Sequence, residues 1–484
     1  MKTFILSKLE KNRESIFLLI GNAVITIFNF ILISFFSHYL SVQNNATYRQ
    51  LFLFIALGSA LGNLGFSQSI YYQLNRLNKQ YSDQNTISCG RFLLVISSIL
   101  TVLIGYFSLP LFSKNFSNSE FDTIAIAGLG LLFFTIIQSA DFSLYLHQKK
   151  TKRYFLIAIS SVILKFAIAC YLYLSGFNMK WFVYSLLLIS IISYSYNLFY
   201  LRGNKNLFSF SIKRKQALEQ FKYALPIGLA IVAGIWMIQI DKLVLNYYLN
   251  DLRSFVVLSN GSIELPFLST LYVSFSMIAM PSMVQAYDNG NIGLVLSERN
   301  AYIKIIASVI IPVTIALIFW SDKIIVLIFG SQYLESAPIF ALFSTILFSR
   351  ICSYQDIILL TGKTKYLSYI QGLELIFHFL ITVFFISNFG LMGAPIASVI
   401  THYLYVIIIS VISAKIIKIN ALQLIPLNFI IRIFSVGLMC ILPFFFFHRF
   451  FDVSANSFSW IIELILFLVF NYMVLLFVQN KLIK

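Results

Sequence analysis

Five cations of this 484-residue chain lie inside long apolar runs: Arg49, Lys165, Lys242, Arg350 and Arg432. A cation at the centre of a membrane helix costs about 2.5–3.5 kcal/mol on insertion scales, so it faces protein or water rather than lipid. Counted from either end of their runs, Lys165 and Arg350 are the deepest. Arg49, Lys242 and Arg432 lie nearer an end, where a long side chain can snorkel. For Lys165 and Arg350 two readings stand open: a substrate contact facing a lumen, or a structural ion pair between helices. The carboxylates within apolar runs are Asp141, Asp241, Asp356, Glu264, Glu374 and Glu463. Gln371, Glu374 and His378 fall on one helical face by their spacing of three and four, as do Ser161 and Lys165. Such a face is expected to line a cavity or an interface between helices. A Glu–His pair there could carry a proton or be a hydrogen-bonded packing contact, and His402 has the same two readings. Asp241 and Lys242 are sequence neighbours, so they point in different directions and each needs its own partner.

The elements that must position these groups follow from composition. The chain is 59% hydrophobic and 11% charged, with a mean hydropathy of +0.86. Soluble domains average about 45–50% apolar and about 25% charged. This excludes a soluble enzyme, a disordered tail and a disulfide-stapled secreted module, and leaves an integral membrane protein. The net charge of +17 resides in short loops between apolar runs, which favours membrane lipids with anionic headgroups over nucleic acid as the partner. Cys89, Cys170, Cys352 and Cys440 are far apart and show neither CxxC nor Cys/His metal spacing. They read as packing residues; no cofactor or metal is expected. Gly-rich phosphate loops, a nucleophile elbow and HExxH are absent from the sequence, and no enzyme is expected. The 50 Phe and 27 Tyr read mostly as lipid-facing bulk and interfacial anchors.

A bilayer core of about 30 Å needs roughly 20 apolar residues per helix. On that template the sequence predicts an all-α membrane fold of fourteen transmembrane helices, at 15–37, 48–66, 90–112, 122–146, 154–175, 181–201, 223–248, 260–284, 301–320, 337–360, 366–387, 391–413, 427–447 and 458–479. The first span is too long for a cleavable signal peptide and lacks a small-residue cleavage site. Loop charge divides strongly by parity. Twenty-five Lys and Arg, with Arg91 and Arg299 counted among them, fall in connections on one side, and only Lys114, Lys180, Arg253, Lys323 and Arg449 on the other. Both termini are therefore expected in the cytoplasm.

An internal repeat is visible. Lys150-Thr151-Lys152-Arg153-Tyr154 opens the fifth span and Lys363-Thr364-Lys365-Tyr366 the eleventh, 213 residues later, and the same offset carries Lys165 onto His378. Tyr39-Leu40 and Tyr248-Leu249 echo at 209 residues. The expected organisation is an N-terminal lobe at 1–205, a cytoplasmic linker at 206–222, a C-terminal lobe at 223–414 and two appended spans at 415–484. Duplicated halves are a recurring transporter plan.

Three stretches then resemble a known family. They are Gly58-Ser59-Ala60-Leu61-Gly62-Asn63-Leu64-Gly65-Phe66; Tyr223-Ala224-Leu225-Pro226-Ile227-Gly228 leading to Ile240-Asp241-Lys242; and Leu360-Thr361-Gly362-Lys363-Thr364-Lys365 followed by Asn388-Phe389-Gly390-Leu391-Met392-Gly393-Ala394-Pro395-Ile396-Ala397. In order and spacing they resemble the Wzx-type O-antigen and capsule polysaccharide flippases of the multidrug/oligosaccharidyl-lipid/polysaccharide (MOP) exporter superfamily, over essentially the whole chain. The resemblance implies two MATE-like six-helix lobes around a central cavity, in a bacterial cytoplasmic membrane. It implies alternating-access movement of undecaprenyl-pyrophosphate-linked oligosaccharide repeat units, with polysaccharide assembly proteins as further partners and a proton or sodium gradient as driving force. Lys165 and Arg350, with Arg49 and Lys242, become the substrate-cavity candidates. Glu374 and His378, with Asp241 and Asp356, become the coupling candidates. Lipid II flippases share the frame, but the acidic-and-glycine motif of their first spans is not evident. The alternatives are a multidrug or metabolite exporter of the same superfamily, against which the two appended spans argue, and a membrane glycan polymerase or ligase, whose large outward loop is missing.

Overall fold

The computed structural model describes residues 13–75, 81–202, 214–265, 268, 279–363, 365–450 and 459–483. Lys2, Lys8, Lys11, Arg76, Lys79, Lys205, Lys213, Thr364 and Lys484, residues 206–213 of the expected linker and most of the expected span at 260–284 lie outside the described residues. The described residues are helical throughout, without a strand, as the composition requires of a chain that crosses lipid: a helix satisfies its backbone polar groups within itself.

Contacts divide the chain into two units, Met1–Val256 and Val257–Lys484. The first contains α1 (Arg13–Tyr39), α2 (Val42–Asn63), α3 (Phe66–Asn75), α4 (Asp83–Phe116), α5 (Ser119–Gln138), α6 (Asp141–His147), α7 (Thr151–Leu174), α8 (Met179–Arg202) and α9 (Arg214–Leu249). The division falls inside α10 (Leu252–Gly261). Helix α9 starts within the stretch read as linker and is helical from Arg214 onward. Side chains cap the helix starts: Ser41, Ser82 and Asn118 each accept a hydrogen bond from a backbone N–H of the first turn, satisfying donors that have no partner within the helix. Helix α5 is the centre of this unit and packs on α2, α4 and α8, while α1 packs on α7. Small residues let α2 and α5 approach. Leu132 and Ile136 occupy the space where Gly58 and Gly62 would carry a Cβ, and Leu51 does so at Gly128. Membrane helices favour this because close backbone packing replaces the hydrophobic drive that lipid cannot supply.

Between α2 and α3 the chain bends by 44°. Leu64 and Gly65 both take positive φ, 38° and 76°, a conformation glycine adopts without steric cost. The bend lies against the backbone of α9. A Cβ on Gly65 would stand 2.5 Å from the Ala224 carbonyl oxygen, and one on Gly228 would collide with the backbone of Leu64. Two of the three family-like stretches thus meet here, backbone to backbone.

The second unit contains α11 (Ile292–Phe319), α12 (Ser321–Phe329), α13 (Ser336–Ser344), a 3-10 turn at Thr345–Ser349, α14 (Asp356–Leu360), α15 (Lys365–Phe389), α16 (Gly393–Ile417), α17 (Leu427–Phe450) and α18 (Ser459–Ile483). Helix α11 is its buried centre, packed on α13, α17 and α18. Trp320 closes the α11–α12 corner under the rings of Phe444 and Phe467. The third family-like stretch is the α15–α16 hairpin, in which Gly390 has φ +56° and a Cβ on Gly393 would strike the Phe385 carbonyl.

Ten helical segments among the described residues are long and apolar enough to span a membrane, or eleven with the bent α2–α3 pair. This does not establish the expected fourteen, and the difference has three locations. Helices α15 and α16 together form a single apolar segment, Tyr366–Ile417. The expected span at 337–360 is broken into α13, the 3-10 turn and α14. The one at 260–284 is largely undescribed.

Because Leu64 cannot yield without moving backbone, Gly228→Ala is expected to destabilise the protein by about 1–3 kcal/mol, the usual range for overpacking. Gly234→Ala on the same helix meets nothing within 4 Å and serves as the control. Thermal unfolding of the purified proteins in detergent reads both; an unchanged midpoint for Gly228→Ala would contradict the close approach.

Candidate functional site

Each unit buries one arginine–aspartate pair at a break in a helix. In the first unit the break is Ser139–Ala140, between α5 and α6. Asp141, next in the chain, receives Arg91 Nη2 of α4 at 3.3 Å and Asn197 Nδ2 of α8 at 2.9 Å. Tyr145 Oη then donates to Asn197 Oδ1 at 3.0 Å. Arg91 and Asp141 are 4% and 1% exposed. In the second unit the chain unwinds over 350–355 and α14 begins at Asp356. Arg299 Nε of α11 meets Asp356 Oδ2 at 2.9 Å and Tyr302 Oη donates to the same oxygen at 2.6 Å. The Arg299 guanidinium also donates to the Leu424 carbonyl and lies 3.5 Å from Cys352 Sγ. Arg299 follows Arg91 by 208 residues and Asp356 follows Asp141 by 215, bracketing the 213-residue echo. Both offsets lie within five residues of the 213-residue echo.

This corrects the placement of two loop cations. Arg91 and Arg299 sit in the third turn of α4 and α11, whose first residues are Asp83 and Ile292. Arg91 stands at the very start of the run drawn from 90 and Arg299 just before the one drawn from 301, because hydropathy registers only the apolar part of each helix. Of the coupling candidates, Asp356 is the one engaged as a structural anion.

The other candidates gather in two places. In the first unit Arg49, Asp241 and Lys242 come together. Arg49 Nε donates to Asn45 Oδ1 at 2.9 Å, with Nη2 3.5 Å from Ser37 Oγ, and Lys242 Nζ donates to Gln239 Oε1 at 3.3 Å. The Lys242 ammonium is repelled by Arg49 and attracted by Asp241. These three groups carry one net positive charge. Lys165 is half-buried on α7 and has no hydrogen-bond or ion-pair partner among the described residues. One turn before it, Ser161 Oγ lies 3.0 Å from Ser193 Oγ of α8.

In the second unit Arg350, at the unwound stretch, lies near Glu374, His402 and Tyr405, and Glu374 also interacts with His378. His378 Nδ1 lies 2.8 Å from Thr401 Oγ1, itself 2.8 Å from the Ala397 carbonyl. His402 Nε2 lies 2.6 Å from Ser349 Oγ, itself 2.7 Å from the Ile346 carbonyl. Tyr403 Oη donates to the Thr345 carbonyl at 2.6 Å and Gln355 Nε2 to Tyr405 Oη at 2.8 Å. Helix α16 thus ties down the broken helix on both sides of the unwound turn. Non-helical backbone at membrane depth persists only where such partners exist. The sequence placed Glu374 and His378 on one face; it gave no sign of Gln355 or Tyr405, whose roles depend on a break no periodicity marks.

The fold is that of a multi-pass membrane protein, with ten or eleven apolar helical segments among the described residues. The fold is similar to that of a lipid II flippase, MurJ, in an inward closed conformation: TM-score 0.73, 17% identity, 96% of this chain and 100% of that chain covered. It is also similar to an inward-facing multidrug resistance MATE family transporter of the MOP superfamily (TM-score 0.61, 16% identity, 81% and 94% covered). A MOP superfamily transporter from Pyrococcus furiosus follows (TM-score 0.54, 15% identity, 83% and 93% covered). No curated protein matches in sequence. The family described as polysaccharide biosynthesis protein matches residues 39–338, and the chain belongs to that family.

Removing Asp356 would leave the Arg299 guanidinium buried without its carboxylate. Asp356→Ala is expected to cost about 3–5 kcal/mol, seen as loss of monodisperse protein on size-exclusion chromatography. The double variant Arg299→Met with Asp356→Leu removes both charges and should recover most of that loss. A monodisperse Asp356→Ala protein of unchanged thermal midpoint would show that the pair holds nothing.

Proposed function

We propose that this protein is a flippase that moves undecaprenyl-pyrophosphate-linked oligosaccharide repeat units across the bacterial cytoplasmic membrane by alternating access, for O-antigen or capsule-type polysaccharide assembly. The observation that carries the reading is a fold shared with a lipid II flippase over 96% of the chain, in a protein of the polysaccharide biosynthesis family. The MATE transporter covers 81%, which leaves the exporter reading without a use for the remainder. Loop charge supports cytoplasmic termini.

The cargo carries a fixed pyrophosphate charge whose desolvation opposes crossing. Arg49 and Lys242 offer what offsets it: two cations held together against their mutual repulsion, relieved in part by Asp241. An incoming anion relieves the rest. Lys165, without a partner of its own, is the second cation proposed to meet the cargo. The Glu374–His378 pair next to Arg350 is the proposed coupling element. An incoming proton would go to His378 or to Glu374, and Arg350 would respond to the change in charge.

The test is a strain lacking the protein, complemented with variants and checked for protein level by membrane immunoblot. Loss should leave lipid-linked repeat units on the cytoplasmic leaflet and remove long surface polysaccharide. Lys165→Ala and Lys242→Ala should each abolish surface glycan at normal protein level, and Lys165→Arg should keep part of it. His378→Ala should do less harm, mainly where the driving gradient is weak. Repeat units accumulating on the outer leaflet would refute the flippase reading.

A further inference from the structure

The segment between α6 and α7 concentrates positive charge in five residues, Lys149-Lys150-Thr151-Lys152-Arg153, and all four cations are exposed. None of them has a carboxylate partner among the described residues. The carboxylates on neighbouring elements are already engaged, Asp141 by Arg91 and Asn197, and Asp83 by His147 at 3.3 Å. Two of the cations are nevertheless held in place. Lys150 Nζ lies 4.9 Å and Arg153 Cζ 4.3 Å from the centroid of the Tyr200 ring at the end of α8. Tyr200 itself runs nearly parallel to Tyr145 and Tyr196, at 6.0 and 6.3 Å. Two like charges thus converge on one aromatic ring at the end of a membrane helix, with no anion to neutralise them. Cation–π attraction orients both cations without cancelling their charge.

A second observation continues from this point. A groove of about 520 Å³ runs along the outside of the α7–α8 pair, lined by Ile157, Leu164, Ile189, Ile192 and Tyr196 with Ser160 and Ser161. Leu164, Ile192 and Tyr196 are among the exposed large side chains of the protein, so the groove is open at the surface and its lining is mostly apolar. It begins one helical turn beyond the cations: Tyr196 is four residues from Tyr200, and Ile157 four from Arg153. From Ile189 to Tyr196 it extends about 10 Å along the helix at 1.5 Å per residue.

We infer that Lys150, Arg153 and Tyr200, with the α7–α8 groove beneath them, bind one anionic phospholipid of the bilayer, its phosphate between the two cations and its first acyl chain along the groove. Charge complementarity selects an anionic headgroup, and Tyr200 and Tyr196 supply the amphipathic rings that favour this depth. The apolar lining of the groove suits an acyl chain. The echo at Lys363-Thr364-Lys365-Tyr366 keeps two of the four cations, so the inference is confined to the first unit. It needs only the membrane placement of the chain and stands apart from the flippase reading.

The experiment is native mass spectrometry of the purified full-length protein, with phosphatidylglycerol or phosphatidylcholine added in equal amounts. One phosphatidylglycerol is expected to persist at activation energies that strip phosphatidylcholine. Lys150→Gln and Arg153→Gln should each weaken its retention about fivefold, the equivalent of one cation near an anionic surface. Ile192→Trp fills the groove while leaving the cations untouched, and should weaken retention as well. If the charge variants fold poorly, this variant alone decides the matter. Equal retention of the two phospholipids, or retention of phosphatidylglycerol undiminished in all three variants, overturns the inference. So does stronger retention of geranylgeranyl pyrophosphate than of phosphatidylglycerol in the same variant-sensitive manner, which would make this a cargo site.

Discussion

A helix that breaks within a packed protein exposes backbone groups and ends that need partners, and the two buried arginine–aspartate pairs stand beside two such breaks. At each break an aspartate opens the following short helix, and an arginine from a neighbouring long helix holds it. The arginine cannot leave, because its charge would be stranded; the aspartate cannot leave, because α6 or α14 would lose its anchor. In the second unit the unwound residues 350–355 deliver Arg350 toward Glu374 and His402. A continuous helix would keep its carbonyls bonded within itself and leave Ser349 and Gln355 no reason to meet α16.

The contrast between the units bears on function. Both carry the structural pair. The second unit adds a cluster near its break in which Arg350 lies near Glu374 and His402, and Glu374 near His378. The first unit carries the cations Lys165 and the Arg49–Lys242 couple with Asp241. A duplicated frame that carries excess positive charge in one half and titratable groups in the other suits a carrier that holds an anion with one set of side chains and is driven through another.

Much of this was legible in the sequence, and its gaps have physical causes. Apolar runs mark most of the long helices, because lipid demands the same thing of every residue that faces it. The Gln371–Glu374–His378 face is set by the helical repeat alone. The glycine-rich stretches signalled a family before their use was known; the contact of Gly65 and Gly228 with opposing backbone supplies the reason. What hydropathy could not show is where a helix begins outside the lipid. That is why Arg91 and Arg299 were counted with the loops. Nor could it show the breaks at 139–140 and 350–355, which interrupt hydrogen bonding without interrupting hydrophobicity. Partners such as Asn197 for Asp141 are 56 residues apart, beyond any periodic signal.

The most direct measurement is leaflet exchange in proteoliposomes containing the purified protein and a fluorescent oligosaccharide linked to polyprenyl pyrophosphate. Labelled lipid on one leaflet is quenched by a membrane-impermeant reductant, with and without a proton or sodium gradient. The account predicts protein-dependent movement of the labelled lipid that the gradient accelerates, and no movement of a cationic dye such as ethidium under the same conditions. Efflux of ethidium without exchange of the lipid would contradict it and return the chain to the exporters.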